Sequence, residues 1–229
     1  MVNDRVQELL VAGRSALLVI DIQNDYVHPE GSAGRGGRDT SAGIAMMPRL
    51  HRLIETARSR GVPVYFLRNW HSPNTDSVAW KSRRTARGGG GEAGVAGTWG
   101  ADWYEVEPGP ADVVIDKFRY DGFLGTPLEV MLHTRGIETV VCCGTATNVC
   151  VESTARAAHM RDFHLILVED CCAAYDDTLH RATLENIRRH FGYVATADEV
   201  ADAWPAIPEA AMAGAAQEPN SGATSGGTS

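Results

Sequence analysis

The chain has 229 residues, 44% of them hydrophobic and 22% charged, with a formal net charge of −8. That is enough apolar material for one well-buried domain, and the acidic balance argues against nucleic acid or an anionic membrane as partner. No apolar run is long enough to span a bilayer, and Met1 to Val6 lacks the basic-then-apolar order of an export signal, so the expected location is cytoplasmic.

Arg5 to Leu10 reads as a short helix, and Ala16 to Ile20 as a strand buried on both faces. The strand ends in a polar cluster, Asp21-Ile22-Gln23-Asn24-Asp25-Tyr26. His28 to Thr40 is rich in Gly and Pro and reads as a loop. Ile44 to Arg60 has helical spacing, with Pro48 expected to mark the first turn of the well-formed part and Gly61 to cap it. Val62 to Leu67 is the second strand. Asn69 to Asp102 carries no clear periodicity. It holds Arg83, Arg84, Arg87 and the run Gly88 to Gly91, and the glycine-rich part, about residues 85–98, reads as a mobile loop or lid. A phosphate cradle is the weaker reading, because no strand leads into the run and no nucleotide-binding pattern follows it.

Asp112 to Ile115 is a third strand, leading into Asp116 and Lys117. Thr126, Pro127 and Glu129 have the order of an N-cap, a first-turn proline and an N3 acid, opening a helix that stops at Gly136. Val140 to Cys143 is a β-branched apolar strand, Gly144 to Asn148 a tight turn, and from Cys150 the spacing turns helical. Phe163 to Val168 is a fifth strand, Asp177 to His190 a helix, Tyr193 to Thr196 a sixth strand, and Asp198 to Trp204 a last turn or two. Strands alternating with helices at this spacing call for an α/β fold: a three-layer sandwich with a mostly parallel six-stranded sheet flanked by helices. One domain is expected over residues 1–207, with a disordered Ala, Gly, Ser and Thr-rich tail over 208–229.

The five cysteines include two adjacent pairs that fit neither a zinc ribbon nor a CxxC redox motif. Cys142 and Cys143 face opposite sides of a strand and read as core fillers that need a reducing compartment; Cys171 and Cys172 read as structural too. Cys150 is different. In the first turn of a helix at a strand's carboxyl end, a thiol faces unpaired amide N–H groups and the positive end of the helix dipole, which predicts a pKa below its usual ~8.5. It is either a poised nucleophile or a small residue packing a helix start.

In parallel sheets ligands bind outside the carboxyl ends of the strands. Asp21, Lys117 and Cys150 each sit at the end of a separate apolar strand, so one crevice can receive all three. That convergence favours the nucleophile, against a simple Asp21–Lys117 ion pair. No histidine fits as base, which leaves Asp21 as the candidate, with Lys117 favouring both anions. The Cys150 N–H and one from the preceding turn could receive an oxyanion.

Three motifs carry a resemblance: Asp21 to Tyr26 after its strand; Asp116-Lys117 with Tyr120, Gly122 and Phe123; and Gly144-Thr145-Ala146-Thr147-Asn148-Val149-Cys150 with Val151 to Thr154. Over about residues 14 to 204 the chain resembles the isochorismatase-like cysteine hydrolases, which include nicotinamidases, N-carbamoylsarcosine amidohydrolase, biuret hydrolases and ureidoacrylate amidohydrolases. The resemblance implies a triad of Asp21, Lys117 and Cys150, an oxyanion hole from the Ala146 and Cys150 amides, and a cis peptide at Thr145–Ala146. Cys150 favours amide hydrolysis over vinyl-ether chemistry. Asn69-Trp70-His71, Gly97-Thr98-Trp99 and Arg119 to Phe123 look most like ureidoacrylate amidohydrolases, and Gln23, Asn69, Trp70 and Tyr120 then look like substrate contacts. Nicotinamidases typically carry a metal-binding Asp and two His near Asn69 to His71. Here Asn69 replaces the Asp and no second His follows, so no metal and no cofactor are expected. The expected partner is a small amide or ureide, and related enzymes suggest a homodimer or homotetramer. Biuret, triuret or a nicotinamide-type amide are alternative substrates. A non-catalytic ligand-binding module, or a redox sensor pairing Cys150 with Cys171 or Cys172, are alternatives from other classes.

Overall fold

The computed structural model describes residues 4–11, 13–85 and 93–206. The Gly88 to Gly91 run and the tail from Pro208 lie outside the described residues.

Six parallel strands form one sheet: β1 (Ser15–Ile20), β2 (Val64–Asn69), β3 (Val113–Lys117), β4 (Thr139–Thr145), β5 (His164–Ala173) and β6 (Tyr193–Ala195). Their order is β3-β2-β1-β4-β5-β6. The chain therefore winds outward from β1 to β3, then restarts at β4 and winds the other way. Right-handed crossovers in the two directions place helices on both faces and open a crevice where the winding reverses, beyond the carboxyl ends of β1 and β4. Burial follows the order: β1 and β4 are buried at every residue, while the edge strands β3 and β6 are only partly covered.

The described helices are α1 (Asp4–Leu9), α2 (Asn24–Val27), α3 (Ser32–Arg35), α4 (Ser41–Ser59), α5 (Val78–Thr85), α6 (Leu128–Thr134), α7 (Glu152–His159), α8 (Asp177–His190) and α9 (Ala197–Ala203). Local chemistry sets several ends. Thr126 Oγ1 accepts from Leu128 N at 3.3 Å, Asp176 caps α8 through Leu179 N at 3.2 Å, and Thr196 with Glu199 forms a capping box on α9. Glu152 at the head of α7 accepts from Thr183 Oγ1 and Asn186 Nδ2, which fixes α7 against α8.

Several boundaries differ from the sequence reading. The helix expected to begin at Pro48 begins at Ser41, with Pro48 inside it. Proline removes one ladder donor there, but Gly43, Met46 and Met47 are buried, and that packing holds the turns before it. The stretch from His28 to Thr40 includes α3, and the aperiodic stretch from Asn69 contains α5, opened by Ser77 Oγ accepting from Trp80 N at 3.2 Å. β5 continues to Ala173 and takes Cys171 and Cys172 into the sheet. Cys150 lies in a π-type turn, Thr147–Val151, and the α-helix proper starts only at Glu152.

Gly144 is set where β4 passes closest to β1. It pairs with Ile20, has φ +126°, and a Cβ on it would run into the Ile20 backbone. Gly136 also has positive φ, +66°, but open space around it. Gly144→Ala is expected to cost about 3 kcal/mol or more, against about 1 kcal/mol for Gly136→Ala, read from urea unfolding midpoints at constant slope.

Candidate active site

The ends of four neighbouring strands meet in the crevice. Asp21 follows β1 in a left-handed conformation, φ 53°, which Asp tolerates better than most residues and which turns the chain out of the strand. Its N–H donates to Leu67 O at 2.8 Å, and its carbonyl accepts from Thr145 Oγ1 at 2.7 Å. Asn69 ends β2, Lys117 ends β3, and Cys150 follows β4 across the cis Thr145–Ala146 peptide.

Lys117 and Asp21 are 0% and 1% exposed, and Lys117 Nζ lies 2.8 Å from Asp21 Oδ2. Asn69 joins them: its Nδ2 donates to Asp21 Oδ2 at 2.8 Å, its N–H to Oδ1 at 3.1 Å, and its Oδ1 accepts from Lys117 Nζ at 3.0 Å. The ammonium's remaining proton goes to Arg119 O at 3.2 Å. Burial pulls the Lys117 ammonium down, but Asp21 and Cys150 outweigh it and its pKa rises. Cys150 Sγ lies within hydrogen-bonding reach of Asp21 and Lys117, and 3.9 Å from Asn69 Nδ2.

The expectation of a depressed thiol pKa is overturned. Burial first, and the Asp21 carboxylate second, push the Cys150 thiol up to about 12 against the pull of Lys117. Helix-dipole reasoning missed this because the thiol sits in a π-type turn, nearly buried, with a carboxylate beside it. The resting sulfur is therefore a protonated thiol.

A cavity of about 400 Å³ opens over these groups. Asp21, Asn69, Tyr120, Ala146 and Cys150 line it, as the sequence reading placed them together. Two expected contacts do not. Trp70 stands outside the lining, with the Arg68 guanidinium 3.7 Å over its ring. Gln23 is fully buried behind the wall; its Nε2 donates to Asn69 O and Ala101 O at 3.1 and 2.7 Å, and its Oε1 accepts from Asn69 N at 2.9 Å. Both of its polar ends are committed, so it positions Asn69. Asn69 itself spends its amide on Asp21 and Lys117.

Other lining residues went unread in the sequence. Trp80 on α5 packs against Tyr120 at 4.8 Å and His71 at 5.4 Å between ring centroids. Tyr26, Arg38 and Tyr175 line a further part of the wall. Asp25 pins the surrounding loops, accepting from Ser32 N at 2.9 Å and Gly94 N at 2.8 Å. The only local signal was Ser77 ahead of Trp80, a helix-opening pair.

The residues do not suit a metal. Asn69 spends its amide on Asp21 and Lys117, His71 Nδ1 is engaged by Asp76 Oδ1 at 2.8 Å, and among the described residues no three of His, Cys, Asp and Glu gather as a metal site.

The raised thiols give a sign for alkaline stability. A thiol titrating near 9.0 when unfolded and about 12 when folded, as for Cys142 and Cys150, leaves stability intact below about pH 9 and erodes it as pH climbs toward 12. The limiting slope is about 1.4 kcal/mol per pH unit per thiol. Urea unfolding from about pH 8 to 11 should show this decline, shallower in Cys142→Ala; a flat profile would contradict the buried-thiol assignment.

A family model for the isochorismatase domain matches residues 15–199. Ureidoacrylate amidohydrolase RutB of Methylobacterium radiotolerans is 36% identical over 219 residues, covering 87% of this chain and 82% of that protein. RutB of Azorhizobium caulinodans is 35% identical, with 91% and 98% covered. Among solved structures, a cysteine hydrolase from Pseudomonas syringae pv. phaseolicola matches with TM-score 0.76 at 25% identity, covering 86% of this chain and 94% of that one. N-carbamoylsarcosine amidase from Thermoplasma acidophilum matches with TM-score 0.68 at 28% identity, covering 81% and 97%. From β1 into α9, the chain belongs to the isochorismatase domain family.

Proposed function

We infer that this protein is a cysteine-dependent amidohydrolase that cleaves a C–N bond of a small ureido compound through a covalent Cys150 intermediate. The observation that carries the reading is a buried thiol and the Asp21 carboxylate lining one ligand-sized cavity, with the fully buried Lys117 ammonium paired to Asp21 from outside the lining. The likeness to ureidoacrylate amidohydrolases and to an N-carbamoylsarcosine amidase supports a ureido or carbamoyl substrate.

The geometry suits proton transfer on demand. A thiol at about 12 is not a standing nucleophile, so Asp21 takes its proton as sulfur approaches the carbonyl. Lys117 pairs with Asp21 before the transfer and offsets the thiolate during it. The carbonyl oxygen gathers charge against the Ala146 and Cys150 amides. Asp21 then returns the proton to the departing nitrogen, leaving a carbamoyl thioester on Cys150 that water cleaves. Asn69 and Gln23 hold the carboxylate in line. We assign the protein to the cytoplasm, because its five free cysteines suit a reducing compartment.

Ammonia release from ureidoacrylate, biuret and nicotinamide tests the reading, with the ureido acid turned over fastest. Cys150→Ser should remove turnover while the substrate still binds, and Asp21→Asn should lower kcat by about 10³-fold or more. Intact-mass analysis after rapid quenching should find a carbamoyl group on Cys150. Turnover that survives Cys150→Ser would sink the covalent route.

A further inference from the structure

The cavity of about 400 Å³ holds far more than a ureido group and leaves room for a substrate tail along the wall away from Cys150. Three acids line the cavity, and each is already answered. Asp21 has Lys117, Asp25 has two backbone amides, and Asp176 caps α8. Arg38 is the lining residue with charge to spare: exposed, with no carboxylate at ion-pair distance among the described residues. Its position is fixed. Arg38 N–H donates to Ala33 O at 3.1 Å, and its guanidinium lies 5.0 Å over the Tyr175 ring. Tyr175 is held in turn by its hydroxyl donating to Tyr26 O at 3.0 Å. Tyr175 and Cys150 line the same cavity, so Arg38 stands on the wall of the hollow that holds the nucleophile. The guanidinium meets the Tyr175 side chain but, among the described residues, no carboxylate, and the fork of donors that remains suits a planar oxyanion.

We propose that Arg38 is a specificity-determining residue that binds a carboxylate on the substrate's tail, so that the preferred substrates are ureido acids rather than neutral ureides. This rests on the ureido-hydrolase reading above and narrows it.

The test compares 3-ureidopropionate with its neutral amide. The native enzyme should favour the acid, and Arg38→Met should lower the acid-to-amide ratio of kcat/KM by about 10- to 100-fold, mostly through KM. Arg38→Lys should recover part of the ratio, and added salt should erode it in the native enzyme. A ratio unchanged within about twofold in Arg38→Met would overturn the proposal. If the native enzyme hydrolyses neither compound, the reaction reading has failed, and binding still decides Arg38. Calorimetry on Cys150→Ala should show tighter binding of the acid than the Cys150→Ala/Arg38→Met double variant does. Equal affinity would overturn the assignment.

Discussion

The buried ion pair of Lys117 and Asp21 is the constraint on which the rest of the structure turns. Removing a carboxylate and an ammonium from water costs several kcal/mol each, and mutual attraction repays this only when the remaining donors and acceptors are also satisfied. Here they are. Asp21 accepts from Lys117 Nζ and twice from Asn69, and the ammonium also reaches Asn69 Oδ1 and Arg119 O. These contacts require β1, β2 and β3 to finish at the same height. The registers Ile20 with Leu67 and Asn69 with Lys117 deliver that alignment. A slip of one residue along β3 would turn Lys117 to the other face of the sheet and leave Asp21 charged and alone.

The same burial governs the sulfur. Low dielectric and a neighbouring carboxylate both penalise a thiolate, and one ammonium does not compensate. A resting thiol beside a base resists oxidation and stray electrophiles, because reactivity follows the thiolate fraction. In the mechanism we propose, activation depends on a substrate whose carbonyl draws the sulfur forward, which couples nucleophilicity to occupancy. Cys142, Cys143, Cys171 and Cys172 share the burial, and all four lie within strands of the sheet and outside the cavity lining.

Much of the floor was legible in the sequence, because strand ends are marked by apolar β-branched runs and a polar residue after such a run must lie near the carboxyl edge. Asp21, Lys117 and Cys150 were read that way, and the parallel three-layer sheet followed from the alternation. The rim was not legible. Trp80 and Trp70 are both aromatic residues after β2, and only the fold of α5 decides which of them faces the cavity. Gln23, two residues after Asp21, looked like a contact, yet past the left-handed turn at Asp21 its side chain is buried in the wall, where Asn69 and Ala101 take both of its polar ends. Arg38 carried no signal at all, since its place depends on Tyr175 on a segment 137 positions later.

Floor and rim are thus built by different means. The floor comes from strand ends locked by backbone register and buried charge, where a small displacement breaks several hydrogen bonds together. The rim comes from α3, α5 and the segment before α8, joined to the floor through single links such as Asp25 to Ser32 and Gly94, or Tyr175 to Tyr26. Substitutions at Arg38, Trp80 or Tyr120 touch none of the bonds around Asp21. Substrate choice can therefore change on this scaffold while the geometry of proton transfer stays fixed, which separates what the site does from what it accepts.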